Sequence, residues 1–414
     1  MNPDIDRLRG YPFERLAALV PGDTPPPGST PIRLSIGEPR HTPPAFVLDA
    51  LARAIPAGMG IYPPTRGIDS LRDAIGAWAD RRWGLAPGSL DRSRGIVPVN
   101  GTREAIHALA IATVDRARAR GGPPLVVMPN PYYQIYEGGA LMAGARPYFV
   151  PCRRERGFLP DWDAVPESVW RRCQLAFLCT PGNPTGAVET VDSLARMIER
   201  ADRYGFVLAS DECYGEVYLD EAAPPPGLLQ VCARLGRADL ARCVVFQSLS
   251  KRSNVPGLRS GFVAGDARVI EPYVRYRTYH GSAMPHHVQV ASEAAWRDEA
   301  HVVQSRALYR EKFDACLPIL APVLDVARPG GGFFCWAGVP TGDAERFART
   351  LFARSNVLVL PGTYLSQVTD GEDPAAGRVR IALVEPAATC TDAARRIERV
   401  ARDLASGRSA GAST

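Results

Sequence analysis

The chain has 414 residues, 46% of them hydrophobic, and a net charge of +5 spread without basic runs. That length allows a large core and two domains, and the scattered charge offers no clustered basic face for nucleic acid. Nine cysteines without paired spacing read as reduced thiols, neither a disulfide framework nor a metal site. The N-terminus lacks a basic region leading an apolar core, and no apolar run reaches the roughly 18 residues of a membrane span, so the chain is expected in the cytoplasm.

Residues 1–31 open with a helical pattern from Pro12 to Val20. They pass into Pro21-Gly22-Asp23-Thr24-Pro25-Pro26-Pro27-Gly28, which can be neither strand nor helix and reads as a linker or arm. A short strand from Ile32 to Ile36 ends at Gly37-Glu38-Pro39. Helical spacing from Phe46 to Ala54 leads through Ile61-Tyr62-Pro63-Pro64 to a longer helix, Ser70 to Trp83, capped by Asp69 or Ser70. Gly95 to Val99 is an apolar strand, and Asn100-Gly101-Thr102-Arg103 then opens a helix running to about Ala117. Strand, glycine turn and helix N-terminus make an anion site, because unpaired N–H groups and the helix dipole both favour a phosphate. Gly101, Thr102 and Arg103 are expected to supply backbone amides to it.

The strand Leu125 to Met128 runs into Asn130-Pro131-Tyr132-Tyr133-Gln134-Ile135-Tyr136, where Tyr132 and Tyr136 read as core aromatics. Leu175 to Cys179 has the apolar run of a strand buried on both faces and enters Thr180-Pro181-Gly182-Asn183-Pro184-Thr185-Gly186. Phe206 to Ser210 delivers Asp211-Glu212-Cys213-Tyr214 at its carboxyl end, where ligands sit in open α/β sheets. Cys243 to Gln247 leads into Ser248. Arg275, Arg277 and His280 read as a solvated charged face, and Ser292 to Leu320 as one long helix, broken if anywhere near Pro318. Strands around Gly332 to Ala337, Asn356 to Leu360 and Val379 to Leu383, followed by a C-terminal helix, form a smaller domain. Residues 406–414 are Gly/Ser/Ala-rich and expected to be disordered.

The most informative stretch is Phe246-Gln-Ser-Leu-Ser-Lys-Arg-Ser-Asn-Val-Pro-Gly-Leu-Arg-Ser-Gly261. Only two lysines, Lys251 and Lys312, occur among 49 basic residues. An amine forms a Schiff base with an aldehyde and loses its proton readily when buried; a guanidinium does neither. Ser248, Ser250 and Arg259 stand where they could hold a phosphate near the Lys251 amine, which points to pyridoxal phosphate. Asp211 can then keep a pyridine nitrogen protonated, and because successive strand residues face opposite ways, only one of Asp211 and Glu212 can do so. Lys312, in the helical pattern Tyr309 to Phe313 without phosphate ligands, is expected at the surface.

With Ser248, Lys251 and Arg259 at this spacing, the sequence resembles the fold-type I, class I/II aminotransferases over about residues 32–400. The resemblance implies an α/β fold: a large domain (45–285) with a mostly parallel central sheet, and a smaller domain (286–405) joined by part of the arm (1–44). It implies that Tyr133 stacks on the pyridine face, Asn183 and Tyr214 meet the cofactor 3′-oxygen, and Asp211 is the acid at the ring nitrogen. Gly37, in Ser35-x-Gly37-x-Pro39, approaches the substrate carboxylate, which Arg380 binds. In a homodimer, Tyr62 crosses to the partner's cofactor phosphate, and the neighbourhood of Arg277 lies by the partner's active site.

The strings Leu34 to Pro39 and Ser248 to Gly261 look most like the succinyldiaminopimelate aminotransferases of lysine biosynthesis. That likeness implies amino transfer between N-succinyl-LL-2,6-diaminopimelate and 2-oxoglutarate, with Lys251 moving the Cα proton. The substrate's distal carboxylate then needs a second cation, for which Arg40, Arg252 and Arg277 are candidates. A broad aspartate, alanine or aromatic aminotransferase, or a C–S lyase, would use the same cofactor residues. A transcription regulator on this fold would need a DNA-binding domain before Ile32, which the stretch before it is not expected to form.

Overall fold

Hydrophobic alternation organises this chain into a sheet whose two faces are both covered. The computed structural model describes all residues except 21, 119, 120, 282 and 408–414, so the expected disorder of the C-terminal tail falls largely outside the described residues. The strands are β1 (Ile32–Arg33), β2 (Ile96–Val99), β3 (Leu125–Asn130), β4 (Arg146–Pro151), β5 (Cys173–Cys179), β6 (Val207–Asp211), β7 (Cys243–Ser248), β8 (Gly261–Gly265), β9 (Phe334–Gly338), β10 (Val357–Leu358), β11 (Leu360–Pro361) and β12 (Arg378–Ala382). Seven of them form one sheet in the order β2-β8-β7-β6-β5-β3-β4. β8 is antiparallel to both neighbours and every other pairing in this sheet is parallel. The expected mostly parallel α/β architecture is therefore present.

In β5, Leu175 and Phe177 join the core on one face while Ala176 and Leu178 join the core on the other, the period of two that a strand buried on both sides requires. Helices complete each layer. Thr102–Thr113 and Gln134–Met142 lie on the face of Phe177 and Ala209, and Val191–Tyr204 turns Leu194, Met197, Ile198 and Ala201 toward the opposite face. A further core surrounds β9, β11 and β12, which pair antiparallel in the order β11-β12-β9. Ile32 and Leu34 from the N-terminal part and Tyr214 and Val217 from the loop after β6 also enter this core, which ties it to the edge of the large sheet.

Several boundaries depart from the sequence reading. The stretch Ser292 to Leu320 is divided between helices His286–Arg297 and Ala300–Leu320; Asp298, one residue before the N-cap position Glu299, accepts from the His301 backbone N–H at 3.0 Å and so satisfies a free donor of the second helix's first turn. Pro318 causes no break, lying in the last turn of that helix. The single strand expected over 356–360 is two, β10 pairing with β1 and β11 with β12, because Val359 between them is where the chain passes from one sheet to the other. The helix opening at Gly101 ends at Thr113, with a short 3-10 turn, Arg116–Arg118, beyond it. The helix Asp69–Trp83 has Ile68 at its N-cap position and no capping side chain.

Candidate active site

Strands β2, β3, β5, β6 and β7 run the same way, so their carboxyl ends meet at one edge of the sheet, the edge at which open α/β sheets bind ligands. β8 runs in the opposite direction and therefore begins there, which brings Arg259, two residues before it, to the same edge. The result is a cavity of about 430 Å³ lined by Thr102, Arg103, Tyr133, Asn183, Asp211, Tyr214, Ser248, Lys251 and Arg259, with Gly37 and Arg380 closing it from the other core. Eleven positions singled out in the sequence thus come together.

The Lys251 Nζ donates to the Gly37 carbonyl at 2.7 Å. It lies 5.9 Å from the Tyr214 ring centroid and 5.6 Å from that of Phe333. Burial, with Arg380 and Arg259 nearby, lowers its amine to about 8, so near neutrality a sizeable fraction is unprotonated and nucleophilic.

Asp211 forms the floor. Its Oδ2 accepts from the Tyr136 hydroxyl at 2.7 Å and its Oδ1 from the Cys213 N–H at 3.2 Å, while burial raises its pKa. Glu212 does not line the cavity; it accepts from the Leu228 N–H at 2.7 Å and from Gln247 at 3.4 Å, and burial lifts it to about 7. Adjacent carboxylates are thus parted by the strand's alternation.

Gly101 contributes space rather than an amide. Its φ is 84°, and its N–H already donates to the Val99 carbonyl at 2.8 Å, which corrects the expectation that all three turn residues offer amides. A Cβ at this position would run into the Arg259 guanidinium, so the absent side chain is what lets that cation approach the helix N-terminus. Thr102 and Arg103, in the first turn, keep N–H groups that the helix does not use. The Arg103 side chain bonds to the Tyr133 hydroxyl at 2.9 Å and the Tyr11 hydroxyl at 2.7 Å.

Arg380, on β12, donates to Asn183 Oδ1 at 2.8 Å and to the Ser35 carbonyl at 2.7 Å. Its buried Nε has no hydrogen-bond partner among the described residues. Burial brings its guanidinium down to about 10, so it remains a cation at neutral pH, stacked 4.6 Å from the Phe334 ring.

The family model for aminotransferase class I and II matches residues 29–397.

The chain belongs to the class I and II aminotransferase family. It is similar to an aminotransferase from Neisseria meningitidis, with a TM-score of 0.90 and 44% identity over 96% of this chain and 99% of that one. An LL-diaminopimelate aminotransferase from Desulforudis audaxviator is 33% identical over 95% of this chain and 96% of its own. A probable N-succinyldiaminopimelate aminotransferase from Thermus thermophilus superposes with a TM-score of 0.82 at 27% identity, over 94% of this chain and 99% of that one. This aminotransferase therefore has the fold-type I architecture, and enzymes of its family depend on pyridoxal phosphate. Among the described residues no helix is long and apolar enough to cross a membrane.

Other expectations need correction. None of the candidate distal cations of this aminotransferase lines the cavity. Arg40 pairs with Glu385 at 3.4 Å. Arg252 is buried against Trp296 and bonds Glu299 and the Ala295 carbonyl. Arg277, expected on a solvated face, is 1% exposed and bonds the Pro98 carbonyl and Glu104. Lys312 is not at the surface either: it is 2% exposed, with its Nζ 2.7 Å from His41 Nε2 and 3.2 Å from the Val384 carbonyl. Tyr62 is fully exposed and stands away from this chain's cavity. Two tyrosines were missed as site residues: Tyr136, read as core, and Tyr11, for which the arm carried no signal.

Proposed function

We propose that this aminotransferase moves the amino group of N-succinyl-LL-2,6-diaminopimelate to 2-oxoglutarate. The observation that carries the reaction is the meeting, in one cavity, of a lysine lowered to about 8, a buried aspartate and an arginine with a donor left unpaired. The donor set fits pyridoxal phosphate. The first-turn amides of Thr102 and Arg103, the hydroxyls of Ser248 and Ser250 and the Arg259 guanidinium suit a phosphate, and Asp211 suits a protonated ring nitrogen. Tyr133 is the stacking ring, and Asn183, whose Oδ1 is taken by Arg380, keeps its amide donors for the 3′-oxygen together with Tyr214.

When bound, the cofactor supplies an aldehyde for the amine and a ring that takes up the electron pair of the substrate Cα–H bond. The protein does the rest. Arg380 orients the α-carboxylate, Lys251 accepts the Cα proton and returns it, and Asp211 keeps positive charge at the ring nitrogen. Phe333, Phe334 and Tyr214 shield these groups from water. We also propose a homodimer in which Tyr62 reaches the partner's phosphate; its 102% exposure suits a residue awaiting a second chain.

The succinyl substrate is supported by the strings Leu34 to Pro39 and Ser248 to Gly261 and by the name of the Thermus relative. Arg103 lines the cavity, and its described side-chain bonds go to two phenols, which leaves it available for the distal carboxylate. A charged hydrogen bond of about 1.5 to 3 kcal/mol corresponds to roughly tenfold to a hundredfold in kcat/KM. The second reading, free LL-diaminopimelate, is favoured by the name of the Desulforudis relative. A specificity series across succinyldiaminopimelate, LL-diaminopimelate, succinylornithine, aspartate and phenylalanine, with 2-oxoglutarate as acceptor, decides. Preference for the succinylated compound that Arg103→Gln erases supports the first reading. A higher kcat/KM for free LL-diaminopimelate replaces it with the second, and equal turnover of aspartate or phenylalanine replaces both with a broad aminotransferase.

A further inference from the structure

The two lysines of this chain grip the same short strap. Lys251 Nζ bonds the Gly37 carbonyl at 2.7 Å and Lys312 Nζ meets His41 Nε2 at 2.7 Å, four residues further on. Between Ser35 and His41 the strap supplies two contacts to the site: the Ser35 carbonyl on Arg380 and the Gly37 carbonyl on Lys251. Gly37 itself is pressed against the Phe334 ring, where a Cβ would come within 2.8 Å of two ring carbons. The strap's position therefore helps to set where Arg380 and Lys251 point.

Its outer end is held by an arrangement that packing alone does not explain. Lys312 is 2% exposed, and its described partners are an imidazole nitrogen and the Val384 carbonyl, with no carboxylate within ion-pair distance among the described residues. Burying an ammonium on neutral acceptors is costly, and a methionine of similar length would avoid the cost. Arginine, which this sequence uses at nearly every other basic position, would need more acceptors for its planar fork than one imidazole and one carbonyl provide. The imidazole is set up to receive the ammonium. Burial, reinforced by Lys312, lowers His41 to about 4, so it is neutral and Nε2 can accept, and its ring lies 4.4 Å from that of Tyr309 on the same helix as Lys312. The Val384 carbonyl belongs to the segment immediately after β12, the strand that carries Arg380.

We propose that Lys312 is a positioning residue for amino transfer: through His41 it fixes the strap 35–41 relative to β12, so that the Ser35 and Gly37 carbonyls orient Arg380 and Lys251. This rests on Arg380 and Lys251 working as proposed above. The test uses Lys312→Met and His41→Leu, the second at a half-buried position where global unfolding is not expected, with His41→Gln restoring an acceptor. Three quantities are measured: KM for the amino donor in the holoenzyme, pyridoxal phosphate affinity by titration of the apoprotein, and hydrogen exchange of the strap amides. We expect Lys312→Met and His41→Leu to raise KM on the order of tenfold and to speed exchange across residues 35–41. Cofactor affinity should stay within about twofold, because the phosphate ligands lie elsewhere, and His41→Gln should recover most of the KM loss. Unchanged KM with unchanged exchange overturns the proposal, as does a loss of cofactor affinity in step with KM, which would mark a merely structural role. Faster strap exchange with unchanged KM, if Arg380→Lys also leaves KM unchanged, locates the failure in the site reading instead; if Arg380→Lys does raise KM, that same result overturns the positioning role.

Discussion

The hydroxyl of Tyr136 donates to Oδ2 of Asp211 across 2.7 Å, inside a core where Tyr136 is 0% exposed. The pair joins the helix Gln134–Met142 to the end of β6 and makes a core aromatic part of the site's electrostatics. A hydroxyl donating to a carboxylate favours its charged form, opposing the burial that raises the Asp211 pKa. Tyr136→Phe keeps the ring, which stacks on Phe177 at 4.7 Å, and removes only the donor. Loss of a hydrogen bond to a buried charged group costs about 1.5 to 3 kcal/mol, so Tyr136→Phe should lower the melting temperature by a few degrees and, by weakening the hold on the Asp211 carboxylate, lower kcat roughly tenfold. Steady-state kinetics beside a melting curve check it; unchanged kcat would separate Tyr136 from the chemistry.

Much of this site was legible because its residues sit at strand ends, where short motifs and strand polarity fix location together. Lys251, Asn183 and Asp211 follow apolar runs whose length and composition already indicate buried strands. Charge points Lys312 and Arg277 to the surface, whereas their helical spacing puts both on a buried face. Tyr309, Phe313, Cys316 and Leu320 are all buried, and Lys312 lies three residues after the first and four before the third, on the same face. Arg277 stands in the same relation to Ile270, Tyr273 and Val274. Tyr11 could not be found in this way, since its contact with Arg103 spans 92 residues and depends on how the arm crosses the sheet edge.

Lys251 governs the second prediction. Only a neutral amine attacks an aldehyde, so with its pKa at about 8 the rate of pyridoxal phosphate uptake by the apoprotein should rise about tenfold per pH unit well below 8 and level off above it. Lys251→Ala should abolish covalent capture by borohydride. Lys312 also has a lowered pKa, through burial, but it does not line the cavity. Peptide mapping that found label on Lys312 would contradict the assignment.

Glu212 supplies a prediction about stability. Burial raises its carboxyl from 4.5 to about 7 in the fold, so between those values the folded state holds a proton that the unfolded state has released. The contribution is therefore fully present below pH 4.5 and is lost as pH rises through 7. Glu212→Gln keeps an acceptor for the Leu228 N–H and cannot titrate, so its melting temperature should fall less between about pH 5 and 7.5 than that of the parent. Because Glu212 does not line the cavity, its kcat should stay near normal, whereas Asp211→Asn should cost roughly 10²-fold or more. Equal losses in the two variants would remove the distinction between these neighbours.

Arg380 permits the most specific prediction about substrate binding. Its guanidinium spans three directions: Nη1 toward Asn183, Nη2 toward the Ser35 carbonyl, and Nε without a partner among the described residues. A carboxylate that engages this fork in a bidentate way gains geometric as well as electrostatic strength. Lysine keeps the charge, but a single ammonium cannot face Asn183, the strap and a carboxylate together. Arg380→Lys should therefore raise KM for the amino acid and for the oxo acid alike, by roughly tenfold to a hundredfold, since both carry the carboxylate. Pyridoxal phosphate affinity, which the proposed function assigns to Arg259 and the first-turn amides of the helix Thr102–Thr113, should change little. The Asn183 amide loses its partner in this variant, so Asn183→Ala combined with Arg380→Lys should cost less than the sum of the two single changes. Full additivity would mean that Asn183 acts on the ligand independently of Arg380, and an unchanged KM would move the carboxylate site to another cation.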